Sequence, residues 1–521
     1  MTNQQYYYRP EPSKKNPRPA RSARTVHKGR RRVAVIGAVL AGVIVLGAIG
    51  VYGYARIKFA EIKKLAVGNL ATAGANQPIN ILLVGNNSRS VLNGKQASAF
   101  GSGSQVGGAR SDVTMIAHMD PKTHTVTLVS IPRDLFLPIP GSNKLNRVDS
   151  ALNFGPSTLV KTIEQDLGIP INHYIELNFD TFQSVVTALG GINMYFPYQL
   201  KDAYSGLNIT QTGCLHLNGF QALAVVRARH LQYSPNGVNW YYDPLGDLSR
   251  IRRDHEFLRV LASEVKAKGI SNPVTLNSVL SAIDPYLGLD KTFSFNELVS
   301  LATTYRHTNP NTIKTATFPV ALENNYTYLG ANYGDVVFAA QPQDWSIVQH
   351  YLGIQTPSMA RSSVTVSVAN GTGAYMQATD VATSLQKLGY KIATVGNTAV
   401  QGSNLETVVR YTPGHLAMAE KVMSDLSGAV VMSQGTTTGG APVEVITGNG
   451  LSVGTLAASA AKATQANSLT SASGTQATKA NSQASAAGGS TGTQSVNNPV
   501  TLPATSSNMP LQPWDPRACP A

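Results

Sequence analysis

The sequence predicts a mixed α/β protein, with a layered α/β/α domain over residues 77–355 and a smaller α/β unit over 363–447. Three observations carry that expectation. From about residue 75 to 355, short β-rich runs alternate with segments of helical periodicity, the pattern of a sheet covered by helices. After residue 363 the alternation resumes on a shorter scale. A chain of 521 residues with 42% hydrophobic content is also long enough to bury at least one sizeable core.

The chain opens on a basic arm. Residues 1–32 hold ten lysines and arginines against the single Glu11, and most of the formal net charge of +14 sits there. Such an arm suits nucleic acid or a membrane surface. Here it runs through Arg30, Arg31 and Arg32 into the 22 uncharged residues from Val33 to Tyr54, an order that points to a membrane and not to nucleic acid. As a helix rising about 1.5 Å per residue, the run would cover roughly 33 Å, against a hydrocarbon core of about 30 Å. The preceding flank is richer in positive charge than Arg56, Lys58, Lys63 and Lys64 beyond, which keeps the arm in the cytoplasm and exports the rest. A cleaved signal peptide would show an apolar run of about 7–15 residues and a small-residue cleavage site. This run is longer and leaves through Tyr52, Tyr54 and Arg56, so one uncleaved transmembrane helix at 33–54 is expected, followed by a stalk and linker at 55–76.

β-Structure begins at Ile79–Val84. Val113–Met119 and Thr125–Ile131 are two further β-rich runs, and Asp120–His124 between them reads as a hairpin turn. A helix is expected after Asp180 as N-cap, with Phe182, Val185, Val186 and Leu189 on one face and Gly190 to stop it, and then a strand at Ile192–Phe196. In the smaller unit, Val364–Val368 runs to Asn370-Gly-Thr-Gly. A helix to Leu388, strands near Ile392–Val395 and Thr407–Tyr411, and a helix from Pro413 to Leu426 follow. Over 455–521 the composition falls to Ala, Ser, Thr, Gln and Gly, too poor in large apolar residues to offset chain entropy, and a disordered tail is expected. The two cysteines, Cys214 and Cys519, fit an exported protein without a dense disulfide framework, and their spacing leaves pairing open.

Five separated segments each deliver arginine, most with an aspartate nearby and most where an apolar run ends. They are Asn86-Asn87-Ser88-Arg89, Arg110-Ser111-Asp112, Ile131-Pro132-Arg133-Asp134, Val226-Arg227-Ala228-Arg229 and Asp247-Leu248-Ser249-Arg250, the last continuing to Arg253. Guanidinium is a planar fork of donors matched to phosphate oxygens, so convergent arginines imply an anionic ligand, and a diphosphate is the natural candidate. Arg89 and Arg133 fall in loops just past strand ends, where α/β sheets collect ligands. Arg227 and Arg229, two apart in what reads as an extended segment, are expected on one face. On the next helix Arg250, Arg253 and Phe257 share a face, and Arg252 and Arg259 are expected in solvent. One such arginine alone is usually a surface ion pair; five segments together are not explained that way. Dinucleotide and P-loop chemistry fit poorly, because no Gly-x-Gly-x-x-Gly joins a strand to a helix and no Gly-x-x-x-x-Gly-Lys-Ser/Thr occurs. The glycine-rich Gly101–Gly108 reads as a flap over the site. Ten histidines, none in paired spacing with cysteine, give no zinc signature.

In order and spacing, Gly85–Arg89, Arg110–Asp112, Ser130–Asp134, Leu217–His230 and Gly246–Arg253 resemble the LytR-CpsA-Psr family, and 363–447 is similar to the LytR C-terminal domain. The resemblance implies a catalytic domain over 77–355, held outside a Gram-positive membrane by one N-terminal helix. It implies transfer of a glycopolymer from a polyprenyl-diphosphate carrier to peptidoglycan, with release of polyprenyl phosphate. Phosphoryl transfer asks a protein mainly to position an in-line attack and to stabilise charge spreading over phosphate oxygens. Arg110, Arg133, Arg227, Arg229 and Arg250 suit that task with Asp112, while Arg89, Arg253, Asp134, Asp247 and Asp254 would support the substrate. A divalent Mg²⁺ or Mn²⁺ would take Asp112 and Asn87 with substrate oxygens and water.

Two positions depart from the family's pattern. An aspartate usually stands where this chain has Asn87; an amide oxygen still coordinates a hard cation, but without negative charge, so metal affinity should fall. Asp254 stands where the family often has glutamine, and it either replaces some of that charge or pairs with Arg250 one turn before. For the general base, Asp134 and Asp247 are candidates by location, although Asp247 is equally placed to cap its helix. Two other functions stay open: a polyprenyl-diphosphate hydrolase, with water replacing the acceptor sugar, and a non-catalytic wall-binding or regulatory protein, which Asn87 favours.

Overall fold

Seven strands make the main sheet: β1 (Lys63–Leu65), β2 (Ile79–Asn86), β3 (Ser111–Asp120), β4 (Thr125–Ser130), β5 (His173–Asn178), β6 (Gly288–Asp290) and β7 (Lys314–Thr317), in the order β1-β6-β5-β2-β3-β4-β7. The computed structural model describes residues 52–74, 76–86, 110–142, 144–268, 287–399, 402, 405–454 and 509–520. The sheet is mixed: β2 is antiparallel to β3 but parallel to β5, and β4 is parallel to β7. The expected hairpin joins β3 to β4, its turn held by Asp120, which accepts from the Lys122 amide at 2.9 Å and the Thr123 hydroxyl at 2.8 Å.

Its helices are α1 (Pro156–Leu167), α2 (Phe179–Ala188), α3 (Gly219–Arg227), α4 (Asp247–Lys268), α5 (Phe295–Tyr305) and α6 (Gln343–Leu352). The two-residue period of β2 and β3 sorts side chains between two cores. Leu82, Val84 and Ile116 pack with Leu159 of α1 and Ile347 of α6; Ile81, Met115 and Ala117 pack with Leu258 of α4 and Leu301 of α5. That arrangement is the expected three-layer α/β/α stack.

Two local expectations are corrected. The cap of α2 is Asn178, not Asp180: β5 ends extended at Asn178, whose side-chain oxygen accepts from the Thr181 amide at 2.8 Å. Asp180 lies in the first turn, where its charge favours the helix N-terminus. Arg227 belongs to a helix and not to an extended segment. Asn218 and Gln221 form a reciprocal capping box that starts α3, and the backbone opens only at Ala228.

The smaller unit has β8 (Thr365–Asn370), β9 (Lys391–Asn397), β10 (Thr407–Tyr411), β11 (Val430–Gln434) and β12 (Val443–Thr447), in the order β9-β8-β12-β10-β11, with helices α7 (Gln377–Lys387) and α8 (Leu416–Met423). β11 and β12 have no counterpart in the sequence expectation. Val366, Val409 and Val443 of this sheet belong to the same core as Leu159 and Trp345. The Tyr411 hydroxyl donates to the Gln165 carbonyl at 3.2 Å, and the Gln165 amide donates to Gln434 at 2.8 Å. The two sheets therefore share one apolar interior.

Among the described residues no helix is long and apolar enough to cross a membrane. The expected span at 33–54 lies outside them except for residues 52–54, which are helical. The expectation of disorder over 455–508 also lies outside them. For 509–520 it is overturned, because the last residues differ in kind from the Ala/Ser/Thr run. Met509 and Trp514 pack against apolar cores, Arg517 pairs with Tyr195 in an antiparallel bridge, and Cys519 forms a disulfide with Cys214.

Candidate active site

Four of the five arginine segments are described, and the fold brings them to one place. Arg110 enters β3, Arg133 follows the end of β4, Arg227 ends α3 with Arg229 just beyond, and Arg250 lies in the first turn of α4. Asn87, Arg89 and the Gly101–Gly108 flap lie outside the described residues. The end of β4 and α4 are tied by a 2.8 Å hydrogen bond between Ser130 and His255, which sets Arg133 beside Arg250. Burial holds the His255 ring down to about 3, so it is neutral here.

The charges interlock. Arg133 donates to the Asp112 carboxylate at 2.8 Å and stands 3.3 Å from Asp134 and 3.8 Å from Asp247. Asp247 accepts from Arg250 at 3.0 Å and lies 4.0 Å from Arg229. Arg250 also donates to the Asp112 main-chain carbonyl at 2.8 Å. Burial would raise the Asp247 carboxyl, but the Arg250 and Arg133 guanidiniums outweigh it and hold the group below the usual carboxylate range. Asp134 goes the other way: burial raises it, although Arg133 opposes.

Beside this network lies a cavity of about 220 Å³. Asp112, Arg227, Arg229, Arg250 and Asp254 contribute its charged wall, and apolar side chains such as Val113, Phe182, Val226 and Phe257 the rest. The Arg227 guanidinium lies over the Phe179 ring at 4.3 Å, a cation–π contact that fixes its plane. Asp254, 3.5 Å from Arg250, accepts no hydrogen bond among the described residues. Burial pushes its carboxyl up to about 7 against the pull of Arg250 and Arg253. Of the two alternatives the sequence left, the pairing with Arg250 is seen, and Asp254 also lies in the cavity wall.

The remaining expected residues stand apart from the cavity wall. Arg110 lies 3.9 Å from Asp149, and Arg133 reaches the cavity through Asp112. Arg253 is turned away, 1% exposed, donating to Asp243 at 2.8 Å and to the Ala228 carbonyl. Arg252, expected in solvent, is buried as well, because Asp515 from the far end of the chain meets it at 2.5 Å.

Sequence reasoning missed Arg147 and Asp149. Arg147 pairs with Asp134 at 3.3 Å. Asp149 is almost wholly buried and accepts no hydrogen bond among the described residues, and burial pushes its carboxyl up to about 6. The signal was present, since Lys144-Leu145-Asn146-Arg147-Val148-Asp149 repeats the pairing of arginine and aspartate at a strand end. Among the described residues no group of three or more His, Cys, Asp or Glu side chains is gathered closely enough to hold a metal ion.

Comparison with known proteins bears on this arrangement. A model of the LytR_cpsA_psr family matches residues 54–341, and one described as LytR cell envelope-related transcriptional attenuator matches 363–450. The probable cell wall biosynthesis protein LcpB of Corynebacterium glutamicum is 31% identical over 254 residues, 47% of this chain and 58% of that protein. The TagU protein of Enterococcus faecalis, named a polyisoprenyl-teichoic acid–peptidoglycan teichoic acid transferase, is 32% identical over 199 residues, 38% of this chain and 59% of that protein. The chain thus spans about three fifths of the length of these relatives. A solved LytR-Csp2A-Psr enzyme from Actinomyces oris is 22% identical with a TM-score of 0.44, covering 56% of this chain and 96% of that one. The first family match takes in more than half of the sequence and every described arginine of the cavity wall, and on that extent the chain belongs to the LytR-CpsA-Psr family.

Proposed function

We propose that the protein transfers a glycopolymer from a polyprenyl-diphosphate carrier to peptidoglycan, as a phosphotransferase anchored in the cell membrane with its site on the outer side. The observation that carries this reading is the meeting of Arg227, Arg229 and Arg250 with apolar side chains around one cavity, a wall suited to a diphosphate joined to a hydrocarbon chain. An acceptor hydroxyl attacks the phosphorus next to the polymer, a new oxygen–phosphorus bond forms, and the bond to the bridging oxygen breaks. Polyprenyl phosphate leaves, and the hydroxyl proton passes to a carboxylate. Arg227, Arg229 and Arg250 hold the diphosphate and meet the charge that develops on its oxygens, while Arg133 aligns Asp112 and Asp247. Asp247, tied to three arginines, is an orienting group and a poor proton acceptor; Asp134, raised by burial, is the better base of the two.

A divalent cation fits this reading. Mg²⁺ needs only one or two protein carboxylates when substrate phosphates and water complete its shell, and Asp112 offers one in the cavity wall. Mg²⁺ or Mn²⁺ would sit on Asp112, with Asn87 as the neutral second donor, and would neutralise phosphate charge. The basic arm at 1–32 and the apolar run at 33–54 support the anchor with a cytoplasmic N-terminus.

The test supplies purified full-length protein with lipid-linked glycopolymer diphosphate, Mg²⁺ and peptidoglycan. Arg250→Ala should lower the transfer rate about 10²- to 10³-fold, as loss of one preorganised donor does, and Asn87→Asp should raise Mg²⁺ affinity. Polymer released without attachment to peptidoglycan would identify a hydrolase. Substrate binding without turnover in the wild type and in Asn87→Asp would leave a wall-binding protein.

A further inference from the structure

Behind the cavity, α4 carries a second arginine pair that the proposed chemistry does not use. Arg252 and Arg253 are 4% and 1% exposed. Their counter-charges come from two distant parts of the chain. Asp243 precedes α4, and Asp515 lies 263 residues beyond Arg252. Arg252 donates to Asp515 at 2.5 Å; Arg253 donates to Asp243 at 2.8 Å and stands 3.6 Å from Asp515. Two guanidiniums and two carboxylates thus balance in a buried volume, where removal of one partner leaves an uncompensated buried charge.

The balance reaches the cavity through a hydrogen bond. Arg253 also donates to the carbonyl of Ala228, the residue between Arg227 and Arg229, and so grips the backbone that aims both side chains. Arg252 lies two residues from Arg250 on the same helix. The segment that brings Asp515 is held at several points of its own. Trp514 stacks on Tyr233 with centroids 4.1 Å apart and donates to Asp243 at 3.3 Å. The Tyr195 and Arg517 backbones exchange hydrogen bonds of 2.8 and 3.0 Å, and Cys519 is bonded to Cys214.

We propose that Asp515 is a positioning residue for the anion cavity: carried in by the C-terminal segment 509–520, it completes the buried charge pairing of Arg252 and Arg253 and so holds the backbone at Ala228, between Arg227 and Arg229. The inference rests on the reading of the cavity as a diphosphate site. It explains why an arginine pair is buried behind a helix whose other face must present arginine to a ligand. It also makes the end of the chain part of the site's framework.

The experiment uses the full chain in detergent with its disulfide intact, and compares the wild type with Asp515→Asn and with Asp515→Asn combined with Arg252→Gln. Inorganic diphosphate affinity is measured by calorimetry, amide exchange over 228–232 is followed without ligand, and the thermal midpoint is recorded for each. Asp515→Asn should weaken diphosphate binding by about tenfold, the scale of one disturbed charged hydrogen bond, and should speed exchange over 228–232. The double variant, with charge balance restored through Asp243 and Arg253, should recover most of both whatever its thermal midpoint; a merely structural role would show no such recovery. Wild-type binding and exchange in Asp515→Asn, or equal impairment of single and double variants, would overturn the proposal. If the wild type binds no diphosphate, the phosphotransferase reading fails, and the exchange comparison alone decides the role of Asp515.

Discussion

Asp254 shows how a single carboxyl can tune the cavity. Folded, it sits at about 7, against about 4 for an exposed aspartate. Between those values the folded chain keeps a proton that the unfolded chain has released, so its contribution to stability is fullest below about pH 4 and is lost as pH rises toward 7. Replacing it with a neutral isostere removes that loss. Asp254→Asn should therefore raise the thermal midpoint over wild type by more at pH 8 than at pH 5, and equal gains at both would refute the assignment. Ionisation also adds negative charge to the wall proposed to hold the diphosphate. Wild-type diphosphate affinity should fall as pH climbs through about 7, and the Asn variant should give a flatter profile in calorimetric titrations at pH 6, 7 and 8.

At the scale of elements, the cavity depends on how closely α2 and α3 approach. Gly219 is the first residue of α3, and a Cβ there would lie 2.3 Å from the Gln183 carbonyl and 2.7 Å from the Thr187 hydroxyl, both on α2. Backbone cannot yield as a flexible side chain does. Gly219→Ala should cost about 1–3 kcal/mol by overpacking, read from urea denaturation, and should also weaken diphosphate binding, since Phe179 and Phe182 on one helix face Val226 and Arg227 on the other. Asn218→Ala, which removes half of the capping box, should cost about 1 kcal/mol without that steric push. A larger effect of Asn218→Ala than of Gly219→Ala would contradict the close approach as the limiting feature. Segment 217–230 is legible as a motif, but the extended reading of Arg227 and Arg229 fails at Arg227, because the apolar run before it suits either conformation and the capping pair Asn218 and Gln221 decides for a helix that ends there.

For the whole molecule, the Cys214–Cys519 bond closes a loop of 305 residues. Cross-links of this kind contribute about 2–5 kcal/mol, so Cys214→Ser, or wild type kept in reductant, should unfold at clearly lower denaturant concentration. Unchanged unfolding would mean that Trp514 and Asp515 hold the segment unaided. The shared interior of the two sheets carries a related expectation. Gln165 of α1 joins the smaller sheet by hydrogen bonds with Tyr411 and Gln434, and Leu159 of the same helix packs in the same core as Val409. Leu159→Ala should cost about 2–5 kcal/mol and lower a single calorimetric transition. Two separate transitions would show that the core does not couple the sheets.

The sequence by itself determined the mixed α/β class, the hairpin between β3 and β4, and four arginine segments that meet in the folded chain, because alternation of apolar residues, turn chemistry and residue type are local properties. Only the tertiary structure decided which arginines face the cavity. Arg250 and Arg253 share a helix and differ by less than one turn, yet Arg250 lines the wall while Arg253 is buried behind it. That difference is set by Asp243 and Asp515, one of them at the far end of the chain. Periodicity says which side chains lie on one face of a helix; what each face meets depends on charge balance and packing among residues hundreds of positions apart, which no local pattern records.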